Sequence, residues 1–160
     1  MTVIEERPVI FTAQSKQFFY CRDAVCEFVF KRGGVPLNPF RAFDYFLGDR
    51  VERNDVRIGN NNLIRIADEL WVFGKSIADG VLFEIEYAFQ LSMKVRYFTI
   101  ANRASEIREI FIHDLVFEPQ LINQTTHRIK SLNLSGMQPR TYLLARVRGE
   151  NPEQPGLFDE

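Results

Sequence analysis

"DELWVFGKSIADGVLFEIEYAFQLSMKVRYF", Asp68 to Phe98, is the stretch that decides the fold class. Its opening, "DELWVFG", holds an unbroken apolar run closed by Gly74, as expected of a strand covered on both faces rather than on one. From Gly80 to Ser92 the apolar residues Val81, Leu82, Ile85 and Ala88 recur at helical spacing. "KVRYFTI" then reads as a second apolar strand. Strand, helix and strand in this order predict a parallel pair joined by a crossover helix. One residue does not fit a packing role: Glu84 stands on that helix among Val81, Leu82, Phe83, Ile85 and Ala88, one turn after Gly80.

Upstream the same alternation continues. "PVIFTAQ" (Pro8 to Gln14) reads as a buried strand, and Ser15 is placed to cap a helix that Gly33-Gly34 ends. "VPL" is a short second strand and "NPFRAFDYFLGD" a loop rich in Pro and aromatic residues. A helix from about Arg50 to Ala67 leads into "DELWVFG". The order β-α-β-α-β-α-β with apolar strands predicts an α/β domain with a mainly parallel sheet covered on both faces. Beyond Ile100 the periodicity weakens. "SEIREIFI" reads as a short helix, "VFEPQLI" as an edge strand or loop and "TTHRIKSLNLS" as another helix. The domain is drawn over 1–135. Residues 136–160, with Pro139, Pro152 and Pro155 and an acidic end, are expected to form a mobile extension.

The chain has 160 residues, 46% of them hydrophobic and 26% charged, which suits one globular domain. A net charge of −1 provides no basic field for direct nucleic-acid binding. Neither a signal peptide nor a membrane-spanning run is read. Cys21 and Cys26 lie five apart in one predicted helix and face different ways, so neither a disulfide nor a metal pair is expected and a reducing cytoplasm fits. His113 and His127 have no Cys or carboxylate at ligand spacing, so no metal is expected either. The fifteen Phe residues imply a dense core or a ring-lined site.

Ligands of open parallel sheets bind outside the carboxyl ends of the strands. Three such ends are legible: "TAQSK", "NPFRAF" and "GKSIADG". Glu84 follows the last of them and has two readings. It is either a solvated helical Glu or a nucleophile or charge stabiliser at an electrophilic carbon. Gly80 would permit close approach of backbone or ligand. Thr12, Gln14, Ser15 and Lys16 stand where a sugar hydroxyl or phosphate would meet a helix N-terminus. Phe40, Phe43, Tyr45 and Phe46 are base-stacking candidates or core. Asp68 is a ligand contact or a turn residue, and Arg53, Arg57 and Arg65 form a solvated helical face.

At these residues the sequence resembles the nucleoside 2-deoxyribosyltransferase family, with its nucleotide N-glycosidase relatives. That family carries its catalytic Glu in a Gly-x-x-x-Glu-x-Gly-x-Ala run opening a helix, which Gly80, Glu84 and Ala88 match. "IADELWVFG", "EIEYAFQLSMKVRYF" and "VIFTAQS" extend the likeness over about 8–100. Glu86 replaces the second motif glycine, adding charge beside the site or facing solvent. Asn60 stands where the family tends to carry an Asp, and an amide is no general acid or base at neutral pH. Asp79 is a substitute for that carboxylate or a helix N-cap.

The resemblance implies a flavodoxin-like three-layer sandwich of about five strands. It also implies cleavage or transfer at the N-glycosidic bond of a nucleoside or nucleotide, with Glu84 catalytic and no cofactor. Asp79 and Asn60 would assist. Thr12, Gln14, Ser15, Phe40, Asp68 and Gly80 would bind substrate, in a homo-oligomer. The competing reading is a non-catalytic nucleotide-binding module. Separately, Gln154-x-x-Leu157-Phe158 resembles the peptide by which bacterial proteins dock on the replication sliding clamp, with Pro155 and Gly156 departing from its commonest middle residues.

Overall fold

The computed structural model describes residues 4–43, 50–134 and 136–154. Four parallel strands form the main sheet: β1 (Val9–Gln14), β2 (Val35–Leu37), β3 (Glu69–Phe73) and β5 (Lys94–Phe98). They lie in the order β2-β1-β3-β5, which is the first four places of the flavodoxin-like order. Two further strands, β4 (Ser76–Ile77) and β6 (Val116–Phe117), pair with each other in parallel as a separate sheet. The helices are α1 (Arg22–Lys31), α2 (Pro39–Ala42), α3 (Arg53–Ile66), α4 (Asp79–Gln90), α5 (Pro119–Ser131) and α6 (Pro139–Val147).

The apolar strands are apolar because both faces are covered. Successive residues point to opposite faces, and the core divides accordingly. Ile10, Trp71, Phe73 and Phe98 pack against Val25, Phe28 and Val29 of α1 on one face. Phe11, Ala13, Leu70, Val72 and Tyr97 pack on the other against Ile64 of α3, Val81, Leu82, Ile85 and Ala88 of α4, and Leu143 and Val147 of α6. On the first face the aromatic rings make a dense core: Phe73 and Phe98 stack at 5.2 Å, and Phe28 meets both edge-on.

Several expectations are corrected. Ser15 precedes a 3-10 helix (Lys16–Cys21) rather than α1 and makes no side-chain cap bond. The aromatic loop after β2 begins as the short helix α2. "SEIREIFI" forms no α-helix: the 3-10 turn Ala104–Glu106 overlaps its start and another, Ile112–Asp114, its end, and the chain between them runs antiparallel to β5. There Thr99 N donates to Arg108 O and Ile110 N to Tyr97 O, covering the outer edge of β5. β6 stops at Phe117 because Pro119 opens α5.

Residues 139–147, read as part of a mobile extension, form α6 and enter the core. Tyr142, Leu143, Ala145 and Val147 are buried, and the Tyr97 hydroxyl donates to Val147 O at 2.7 Å. No helix among the described residues is long and apolar enough to cross a membrane.

Candidate active site

The connection after β1 leads to α1 on one face of the sheet, and that after β3 leads to α4 on the other. The crevice between strands whose connections diverge is where doubly wound sheets hold ligands. Gln14 and Phe73, the last residues of β1 and β3, stand side by side in register there. Gly74 follows with φ +117°, a conformation L side chains rarely adopt, and its N–H donates to Phe98 O. The chain thereby turns out of the sheet into β4, an element not anticipated within "GKSIADG", and on to α4.

Thr12 and Gln14 are buried at this end and are already engaged. Asn38, one residue past β2, donates from Nδ2 to Thr12 Oγ1 and to Gln14 Oε1, both at 2.9 Å. Its Oδ1 accepts from Phe40 N, capping α2, and Gln14 Nε2 donates to Phe18 O. All four side-chain polar atoms of the Gln14 and Asn38 amides are thus engaged within the floor itself. Sequence reading passed over Asn38 as a position. The signal was the Asn-Pro pair after a strand, a favoured helix start. Ser15 and Phe40 are half-buried at the rim. Phe43 packs under Gly59, while Tyr45 and Phe46 lie outside the described residues.

Ala78, not Asp79, is the N-cap of α4. Asp79 is the first helical residue, exposed, and its Oδ1 accepts from Gly80 N at 2.7 Å. A carboxylate in a first turn complements the helix dipole. Space is open around Gly80: a Cβ there would meet nothing within 4 Å, so no close approach requires a glycine.

Glu84 lies in the second turn of α4. As a residue it is half-buried, yet its Oε2 is sealed from solvent and has no hydrogen-bond partner. It is the carboxyl group's own surroundings that govern titration, and desolvation pushes its pKa up from 4.5 to about 8. α3 packs beside α4, and on α3 the Oδ1 of Asn60 is likewise buried and unpartnered. Both orphaned atoms are acceptors once Glu84 is ionised, and buried acceptors without donors are uncommon enough to call for one.

Not every candidate converges here. Asp68 sits before β3, at the amino end of the sheet. Its Oδ2 accepts from Val9 N at 2.7 Å and its N–H donates to Val9 O. That places it about one strand length, roughly 15 Å, from the crevice. Glu86 neither faces open solvent nor joins the site: two positions from Glu84 it is turned by roughly 200° around the helix. It is bound by Arg146 of α6 through Nε and Nη2, the two donors of one guanidinium edge.

Residues 11–98, more than half of the chain, match the family described as "Domain of unknown function (DUF7768)". No curated protein matches. Among solved structures, a 2-desoxiribosyltransferase from Leishmania mexicana is similar at 21% identity and a TM-score of 0.46, over 57% of this chain and 64% of that one. The chain therefore spans a little under two thirds of that protein's length.

Proposed function

The chain belongs to the DUF7768 family, and for it we propose cleavage or transfer at the N-glycosidic bond of a nucleoside or nucleotide, with Glu84 as the nucleophile. The observation that carries this reading is Oε2 of the Glu84 carboxyl: sealed, partnerless and on the helix leaving the crevice. Its place in the Gly80-x-x-x-Glu84-x-x-x-Ala88 run supports it. A structural glutamate buried in this way would lose free energy with no return, whereas a reactive one needs to be desolvated.

In this mechanism an oxygen of ionised Glu84 bonds to C1′ of the sugar as the C1′–N bond breaks. The base leaves with the electron pair and takes up a proton, relayed from solvent by Asp79 at the mouth. Water or an acceptor base then attacks C1′ and gives up a proton, and Glu84 departs as carboxylate. Positive charge developing on the sugar favours the ionised form that burial opposes. Asn60 cannot transfer a proton, so its Oδ1 accepts a hydrogen bond from the base or a sugar hydroxyl.

Incubating the protein with a panel of nucleosides and monophosphates, with and without acceptor base, is expected to release free base. Glu84→Gln should lower the rate by at least ~100-fold, since an amide is a poor nucleophile. Turnover by the variant at the parent rate would remove Glu84 from the reaction. Ligand binding without base release by the parent would support the second reading, a nucleotide-binding module, which Asn60 in place of a carboxylate favours.

The tail supplies a partner to the proposal. Gln154 is exposed directly beyond Glu153, which is anchored to the domain; Leu157 and Phe158 lie outside the described residues. A labelled Asn151–Glu160 peptide is expected to gain fluorescence anisotropy on titration with sliding clamp. Binding no tighter than that of a Leu157→Ala, Phe158→Ala peptide would dismiss the docking role.

A further inference from the structure

On the flank of α4 away from Glu84, the helices α4, α5 and α6 enclose a cleft of about 720 Å³. Residues 149–153 run along it as a strap that is held down at four points. Gly149 has φ +77° and lies so close to Phe89 that a Cβ would stand 2.8 Å from the ring. Glu150 N donates to Ala145 O, and Pro152 is buried. Last, the Glu153 carboxylate accepts from Arg128 Nε at 2.8 Å and Nη2 at 3.1 Å, and from the Tyr142 hydroxyl at 2.6 Å.

The last contact differs in kind from the others. An exposed ion pair alone is worth little, and the Arg128 side chain is 55% exposed. Here, however, three donors converge on one carboxylate: Nε and Nη2 from one edge of a guanidinium fork, plus a hydroxyl presented by a tyrosine that is itself only 4% exposed. A planar fork with a fixed extra donor is the geometry that recognises carboxylate and phosphate oxygens. Arg128, then Tyr142, holds the Glu153 carboxyl down at about 2. The second guanidinium of the cleft, Arg146, is committed to Glu86. The amides of Gln90, Gln124 and Asn151 line the remaining volume.

We infer that Arg128 and Tyr142 form an oxyanion-recognition site which Glu153 occupies in cis, so that residues 149–153 are a displaceable strap over a second ligand cleft. The ligand class is a compact carboxylate or phosphate. This site is separate from the Glu84 crevice and does not depend on the reaction proposed for it. A tethered carboxylate competes at an effective concentration in the millimolar range, so the full chain should bind free oxyanions weakly until Glu153 is removed.

The test is calorimetric titration of the full-length parent, Glu153→Ala and Glu153→Ala/Arg128→Ala with succinate and, separately, with inorganic phosphate. Glu153→Ala is expected to bind at least one probe ~10-fold more tightly than the parent, and the double variant to lose that gain. The two arms decide between carboxylate and phosphate. Equal affinity in parent and Glu153→Ala, or tight binding that survives loss of Arg128, would overturn the inference and leave the ion pair a structural fastening. Should Glu153→Ala fail to fold, Glu153→Gln takes its place with the same expected order, because a neutral amide leaves the guanidinium charge uncompensated.

Discussion

Between pH 4.5 and about 8 the folded chain keeps a proton on Glu84 that the unfolded chain releases. The folded state binds more protons across this window, so stability falls as pH rises through it. Below pH 4.5 the contribution is fully present, and above about 8 it is lost. Glu84→Gln, neutral throughout, should therefore gain on the parent as pH rises. The difference in Tm between variant and parent should shift in the variant's favour by on the order of 10 °C from pH 4 to pH 8, at about 1.4 kcal/mol per pKa unit and 2–4 °C per kcal/mol. A difference independent of pH in thermal scans would mean that Glu84 ionises freely in the folded protein. The same titration has a kinetic face: a nucleophile must be ionised, so kcat/KM for base release should rise with pH through about 8. At this scale the sequence showed that Glu84 sits among apolar neighbours. It did not show that no donor reaches Oε2, because donors come from other elements.

At the scale of elements, α6 is the feature that composition concealed. Three prolines and an acidic end suggested an extension beginning at Gly136, yet Pro139 occupies the first turn of a helix, where its missing N–H costs nothing. α6 is then fixed from outside itself, by Glu86 on Arg146 and by the Tyr97 hydroxyl on Val147 O. Leu143 is fully buried in the core shared with α3 and α4. Leu143→Ala should cost about 2–5 kcal/mol in urea unfolding followed by circular dichroism. A loss below about 1 kcal/mol, the scale of ordinary surface changes, would mean that α6 is appended to the domain rather than part of its core. Glu86 belongs to the same lesson. Where the resembled motif has glycine, this chain has a side chain that docks another helix.

For the molecule as a whole, the sequence by itself determined the parallel α/β architecture over residues 8–100, because apolar runs and helical spacing are local patterns that survive without a partner. It determined that Glu84 follows a strand's carboxyl end, since strand and helix are adjacent in the chain. Tertiary structure alone decided the rest. It placed Asp68 at the far end of the sheet, committed Thr12 and Gln14 to Asn38, and closed the β5 edge with residues 108–110. It turned the presumed extension into α6 and fastened Glu153 to Arg128 and Tyr142. Each of these depends on groups distant in the chain meeting in space. Side-chain periodicity records which face a residue takes, but not which donor or charge stands opposite it.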